Sequence, residues 1–548
     1  MKSEVRLVNT ETEAAELKKT VLISSSYGLW PILEYELDIA KRKLDDGYRV
    51  IFLTCKGDVP SCEANKSDNG KPIKRHCLEC KSRVKHGLGW LQTEDNRLSV
   101  ISHKKLLPEQ QEYIDSTLDS LNKYDEAHIR SLVNIGDTDI FESSISALIT
   151  ELQVSKPCLS QHSKKLKLHL RVAMESYYSA VNILEEWSVD EVYIYNGRFP
   201  KYRPILRVAN KIGVAVKVYE YPYWGYENYM TIDGTYPHDF RNTSKLIQLV
   251  VTSSPLPEEK IIREGENWFT ERMIDKTQLA QPIYPTLTQW QNTGEVGEWE
   301  DNHYNIVFFI SSEHEYYAIK EVRETQPYGQ IEAVRTILSA TRTALVNVRV
   351  HPNLKYRDPH FINQIKDLEY EKRIKIIDAS SSVDSYELMS KADLIVSFGS
   401  TTGIEAAFLG KPVITIGASL YDAFPATASA YTHNELLELV TDAENNDYSK
   451  FPSITQRNVE ACKFAYGFCN FGERPKYIAR QSFAGGTMLS SEGRIKIQAK
   501  WYIVIFNRLI DLPSKLIKGV MSLSDPYKRE KFFANPINLL ITKLSRHE

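Results

Sequence analysis

Two stretches of the chain alternate short, nearly unbroken apolar runs with longer amphipathic segments. In the first, the run Thr20 to Ile23 leads into the polar loop Ser24 to Gly28. A stretch of helical period follows from about Pro31 to Leu44, with proline at its start, and then a second apolar run from Tyr48 to Thr54. Strand, loop, helix and strand of these lengths read as a βαβ unit. The pattern returns as a strand at Glu191 to Tyr195, a helix at Tyr202 to Lys211 and a strand at Val214 to Tyr219. Residues 108–185 between them read as mostly helical, broken by a charged, Ser/Lys-rich stretch at 155–166.

The second stretch is more regular. Strands are expected at Asn305 to Ile310, Ala344 to Val350, Ile374 to Ile377, Leu394 to Ser397 and Pro412 to Ile416. Helices are expected at Gly329 to Thr341, Ser385 to Lys391 and Thr402 to Leu409, with further helical patterns at 427–442 and 456–466. Strands that alternate with helices imply a parallel sheet covered on both faces. Residues 280–301, rich in Pro, Gly, Gln and acids, read as the linker. The expected organisation is a first domain over 1–290, a second over 301–455 and a helical extension over 456–548.

Composition narrows the classes without choosing among them. The chain has 548 residues, 42% hydrophobic and 25% charged, with 68 Lys+Arg against 71 Asp+Glu, a net −3. Wholly disordered, collagenous and multi-span membrane classes are excluded, and no global basic excess argues for nucleic acid as a partner. Tyrosine is unusually frequent at 31 residues, and its ring and hydroxyl together suit polar ligands such as sugars and bases. The N-terminus is charged and lacks the apolar core of a secretory signal, so a cytoplasmic location is expected. Residues 494–548 differ, with 11 Lys/Arg against 4 Asp/Glu and apolar clusters at Trp501 to Phe506 and Ile537 to Ile541. Such a segment either lies peripherally on the anionic inner face of the cell membrane or packs back on the body with a solvated basic face.

Seven cysteines are few for this length, and reduced thiols are the default. Cys55, Cys62, Cys77 and Cys80 nevertheless fall within 26 residues as C-x6-C-x14-C-x2-C. Four thiolates so spaced can close a tetrahedral structural zinc site. Unrelated free thiols and an iron–sulfur or redox centre are the other readings. The segment from Lys56 to about Gly89 has little periodicity, and a loop of that length needs its own source of order.

In a doubly wound sheet, ligands collect beyond the carboxyl ends of the strands. Ser400-Thr401-Thr402-Gly403-Ile404-Glu405 follows one such strand and opens a helix, where unpaired N–H groups and the helix dipole favour a phosphate. A plain Ser/Thr cap is the simpler alternative. Arg349 and His351-Pro352-Asn353 end another strand, and Ser311-Ser312-Glu313 a third. In the first region Asn196-Gly197-Arg198 and Glu220 occupy the same kind of position, with Arg198 suited to a carboxylate or phosphate.

The stretches RVHPN at 349–353 and SFGSTTGIEAAFLGKPVITIG at 397–417 resemble the C-terminal domain of GT-B-fold glycosyltransferases. They are most similar to bacterial capsular-polysaccharide and lipopolysaccharide enzymes with a His-Pro motif. The cysteine arrangement and Asn196-Gly197-Arg198 also resemble members of this group. The similarity is good over roughly 300–420, patchy over 20–225 and absent from the tail. The resemblance implies an α/β protein of two Rossmann-like domains facing across a cleft. It implies that His351, Ser400, Thr401 and Thr402 contact the donor's phosphate and Glu405 its ribose, without a catalytic metal. Arg349, Ser311 and Ser312 complete the expected donor set, and Asn196 and Arg198 the acceptor side. No motif fixes the catalytic base; Glu220 and Glu34 are the candidates, with His351 the third group expected at the chemistry.

The function so implied is transfer of a sugar from a nucleotide-sugar donor to a glycan or lipid-linked glycan acceptor, in capsule or O-antigen assembly. Two rivals stand beside it. One is a nucleotide-sugar 2-epimerase, which shares the fold. The other is a non-catalytic component that docks a glycan-assembly complex on the membrane.

Overall fold

The computed structural model describes residues 19–25, 27–62, 74–91, 96–121, 125–135, 138–220, 228–274, 296, 299–311, 318–326, 328–354, 359–479, 487–490 and 493–505. Two six-stranded sheets organise them. The first contains β1 (Thr20–Ser25), β2 (Arg49–Thr54), β3 (Leu98–Ser102), β4 (Glu191–Tyr195), β5 (Ala215–Glu220) and β6 (Met230–Asp233), in the order β3-β2-β1-β4-β5-β6. All neighbours run parallel except β5 and β6. The second contains β7 (Asn305–Phe309), β8 (Leu345–Arg349), β9 (Ile374–Ile377), β10 (Leu394–Ser397), β11 (Val413–Ile416) and β12 (Ala428–Ala430). Its order, β12-β11-β10-β7-β8-β9, is parallel throughout.

Counted within each domain, both sheets follow the 3-2-1-4-5-6 order of the Rossmann fold. Strand order therefore reverses between β1 and β4 in one sheet and between β7 and β10 in the other. In doubly wound sheets ligands bind beyond the strand ends at such points. The central strands are apolar on both faces because helices cover both; Val21, Ile23, Val50, Phe52, Val192 and Ile194 are all buried, as are Ile306, Phe308, Val348, Leu394 and Val396. Cross-strand register is shared, with Ile23 opposite Phe52 and Tyr193, and Phe308 opposite Val348 and Val396.

The helical reading of 108–185 is met by four helices, Pro108–Ser120, Glu126–Val133, Ile140–Leu152 and Ser163–Glu186. They enclose a core of their own around Ile114, Phe141, Leu148 and Leu170. Three strands of the two sheets were not expected. β3 and β6 are short edge strands, and β12 lies inside 427–442, where only a helix was read; that helix begins at His433. Its capping box, Thr432 with Glu435, supplies the start signal that the apolar period alone missed. Most of the expected linker, and residues 506–548 of the extension, lie outside the described residues.

Two further expectations need correction. The segment after Lys56 is not loop throughout, because Lys74–Leu91 is a helix. The C-terminal extension is not simply helical. Helix Ile454–Asn470 leaves the second domain and packs on helices Phe240–Thr252 and Glu258–Ile274 of the first. The chain then crosses the first domain as a strap with an antiparallel hairpin, Thr487–Ser490 with Gly493–Lys496. Asp38, fully buried, anchors this strap by accepting the backbone N–H groups of Lys476 at 2.8 Å and Tyr477 at 2.6 Å. Lys500 N–H reaches Ser82 Oγ at 3.0 Å. Trp501 and Tyr502 at its described end are exposed.

Candidate functional site

At the reversal point of the second sheet, β10 ends in Ser397 and turns through Phe398, Gly399 and Ser400 into helix Thr401–Phe408. Gly399 takes φ +65°, a left-handed turn that other residues rarely adopt. Ser400 is the N-cap, and its Oγ accepts Thr402 N–H at 3.4 Å. Tyr421 OH donates to Ser400 O at 2.9 Å and Ser397 Oγ to the same carbonyl at 3.2 Å. The turn is thus fixed from below, and Ser400 caps the helix by taking the Thr402 N–H. Two buried polar atoms at this corner, Thr402 Oγ1 and Gln326 Nε2, have no hydrogen-bond partner among the described residues. Gln326 lies against Gly399, 3.5 Å from where a Cβ would stand.

The neighbouring strand ends contribute as expected in position, less so in role. Ser311, just past β7, is clasped by buried Gln330, which accepts its N–H at 2.7 Å and donates to its carbonyl at 3.0 Å. Ser312 lies outside the described residues. His351, half-buried, follows β8 and opens the short turn Pro352–Leu354. Arg349 is buried, and its guanidinium is directed at backbone, donating to Asp378 O at 2.6 Å and Ser381 O at 3.1 Å. It braces the loop after β9. Glu405 is buried one turn into the helix and accepts Arg272 Nη2 at 2.7 Å. Its partner comes from helix Glu258–Ile274, whose Phe269 packs in the core of the second sheet, so this carboxylate holds a neighbouring helix rather than facing an open crevice.

The other reversal point, between β1 and β4, is walled by tyrosine. Tyr27, Tyr195, Tyr202 and Tyr219 pack edge-on or tilted at 5.6–6.3 Å between centroids. Asn196 and Gly197 both have positive φ, and the turn they form carries Asn196 Nδ2 to 2.5 Å from Glu220 Oε2 at the end of β5. Arg198 lies against Phe199. Around this turn stands a basic group that the sequence did not single out. Arg203, fully buried, donates to Gly197 O at 3.2 Å, and Asp139 receives Arg203 at 3.3 Å and Arg207 at 2.7 Å. Burial and the charges of Arg198 and Arg203 hold His238 well below the usual imidazole range. Arg207 and Tyr236 both reach Glu321 of the second domain. The two strand-end regions are therefore tied across the domain boundary, and Ser244 Oγ with Ala423 N at 2.8 Å adds a second tie.

Glu34 does not face this region freely. It is fully buried and ion-paired with Arg83, which also donates to Gly28 O at 2.6 Å. Two more buried carboxylates on the same helix, Ile32–Asp45, were not singled out from sequence. Glu36 accepts Tyr219 OH at 2.6 Å, and burial pushes its carboxyl up to about 8. Asp38 anchors the strap described above. The four cysteines are all described and partly exposed, and burial raises Cys77 and lifts Cys80 to about 11. Among the described residues no three His, Cys, Asp or Glu side chains stand close enough together to hold a metal ion.

With that geometry in view, residues 324–446 match the family model described as capsule polysaccharide biosynthesis protein. The matched segment runs from just before helix Gln330–Ala340 through β12, and so contains Arg349, His351 and the whole turn at 397–405. No curated protein matches the chain. Among solved structures, the Thermosulfurimonas dismutans KpsC β-Kdo 2,4-transferase is similar at 12% identity, over 60% of this chain and 92% of that one, with a TM-score of 0.35. HepE from Anabaena, solved with UDP and glucose, is 12% identical over 80% of this chain and 97% of that one, TM-score 0.22. The UDP-GlcNAc 2-epimerase from Neisseria meningitidis, bound to UDP-GlcNAc, is 12% identical over 84% and 95%, TM-score 0.23. Residues 324–446, which lie on the second Rossmann-type sheet, thus match that family model.

Proposed function

We propose that the protein is a glycosyltransferase of bacterial capsule biosynthesis, moving a sugar from a nucleotide-sugar donor to a surface-polysaccharide acceptor. The observation that carries this reading is the coincidence of the capsule-family match with the helix start at Thr401, at the reversal point of the second sheet. The donor phosphates would lie against that helix start at Thr401, with His351 donating from the β8 end. As the glycosidic C–O bond breaks, negative charge grows on the departing phosphate. Amide dipoles and a histidine fixed in advance stabilise that charge without a divalent metal. The acceptor would bind at the tyrosine-walled reversal point of the first sheet. Glu220, held by Asn196 at the end of β5, would take the acceptor hydroxyl proton. Glu34, neutralised by Arg83, is the weaker candidate. Exposed Trp501 and Tyr502 beside Lys500 support a peripheral membrane contact through 494–548.

The test is product analysis with UDP-, GDP- and CMP-sugars, with and without a capsular oligosaccharide acceptor. Nucleotide release that depends on acceptor, and is lost in Glu220→Gln, supports the reading. Conversion of the nucleotide sugar to an epimer with no acceptor present would replace it with the isomerase reading. Glycan synthesis that persists in His351→Ala would remove the assigned donor site.

A further inference from the structure

The N–H groups around the cysteines point to a ligand. Cys55 follows β2 directly, Cys62 lies seven residues on, and Cys77 and Cys80 sit one turn apart on helix Lys74–Leu91. Gly57 N–H donates to Cys55 Sγ at 3.3 Å, and Gly28 N–H to Cys80 Sγ at 3.0 Å. Lys201 Nζ donates to Cys62 Sγ at 3.0 Å. Three of the four sulfurs thus accept an N–H, which is how thiolates bound to a metal are held, whereas a neutral thiol is a weak acceptor.

Two glycines let the backbone approach. Gly57 has φ +76°, and a Cβ there would stand 3.2 Å from Cys77 Cβ. A Cβ on Gly28 would stand 2.3 Å from Cys80 O. The fourth observation is charge. Lys201 is fully buried, with its ammonium 4.4 Å from the centre of the Tyr27 ring. Four thiolates on one Zn²⁺ carry a net charge of about −2, which a buried lysine offsets.

We propose that Cys55, Cys62, Cys77 and Cys80 together bind one zinc ion in a closed structural site, with Lys201 as its buried counter-cation. The side chains as they stand are not gathered tightly enough to hold an ion. Loading therefore draws the sulfurs inward by side-chain rotation about N–H donors already in place. The site pins helix Lys74–Leu91 to the end of β2 and to the Tyr27 loop, beside the acceptor side of the cleft. It is independent of the glycosyltransferase reading.

The full chain, purified without chelator, is expected to carry about one zinc. Replacement by Co²⁺ should give the strong thiolate-to-metal absorption and the intense visible bands of a tetrahedral all-sulfur site. Lys201→Gln should weaken retention about tenfold in chelator competition, while Cys158→Ser, at an exposed cysteine elsewhere, should leave it unchanged. Metal-free protein whose Co²⁺ titration yields no thiolate absorption would overturn the proposal, even if Cys77→Ser fails to fold. So would iron with acid-labile sulfide in place of zinc.

Discussion

Arg272 and Glu405 meet between helices Glu258–Ile274 and Thr401–Phe408 at 2.7 Å, with 8% and 6% of their side chains exposed. Arg272 is stacked on Trp268 of its own helix, and Tyr386 lies near enough for the pair's charges to act on it. A carboxylate in helix Thr401–Phe408 thus spends its charge on a neighbouring helix. Removing one partner leaves the other buried and uncompensated, which costs about 3–5 kcal/mol. Arg272→Met is therefore expected to lower urea-unfolding stability by that order, and Arg272→Met with Glu405→Leu to recover much of it. If Glu405→Gln instead leaves stability untouched and only raises the donor KM, the carboxylate serves the ribose after all.

Gly403 argues a second prediction. A Cβ at this position would stand 2.3 Å from Tyr421 OH, and the same hydroxyl holds Ser400 O. Gly403→Ala should force Tyr421 aside, loosen the turn at Ser400 and cost about 1–3 kcal/mol. Tyr421→Phe alone loses one hydrogen bond, worth about 1 kcal/mol. The double variant should be more stable than the sum of the two losses, because phenylalanine vacates the space that alanine needs. Additive losses in a double-mutant cycle would refute the steric account.

How much of this was legible beforehand depends on what each residue's neighbours in sequence disclose. The central strands were readable because they are buried on both faces and form unbroken apolar runs. β3, β6 and β12 were not, since short edge strands such as Leu98–Ser102 and Ala428–Ala430 carry no such run. The strand-end rule placed His351, Ser400 and Asn196 correctly at carboxyl edges. It did not tell a side chain that faces the crevice from one turned inward, as Arg349 is toward Asp378 O and Ser381 O. Arg272, Lys201 and Arg203 were invisible for a related reason. Each is a cation in an ordinary charged or mixed stretch, and only its distant partner marks it as buried.

Glu36 makes the pH dependence testable. Its carboxyl titrates near 8 in the fold against an ordinary value of 4.5, because burial disfavours the charged form. Below about pH 4.5 folded and unfolded chains are both protonated there, and the group makes no difference. Between about 4.5 and 8 the folded chain holds a proton that the unfolded chain has lost. Stability then falls as pH rises, by up to about 1.4 kcal/mol per unit from this one group. Glu36→Gln keeps an acceptor for Tyr219 OH and removes the titration. The difference in stability between variant and wild type should grow in the variant's favour from pH 5 to pH 8 and then level off. A difference that stays flat over that window would show that Glu36 is charged in the fold.

The donor corner separates a folding role from a binding role at two residues. Thr402 Oγ1 is buried with no partner among the described residues, and such a hydroxyl costs stability. Thr402→Val keeps the shape and should raise unfolding stability by up to about 1 kcal/mol, with the backbone N–H that Ser400 caps still in place. Transfer rates should change little. His351 is half-buried at the end of β8, so His351→Ala should leave the chain folded in denaturant unfolding. Its loss should appear in catalysis, with kcat/KM down about a hundredfold as the departing phosphate loses a donor. Steady-state transfer assays beside denaturant unfolding check both variants. A His351→Ala enzyme that transfers at the wild-type rate, or a Thr402→Val enzyme that loses donor binding while remaining folded, would move the anion away from the backbone amides at Thr401 and Thr402.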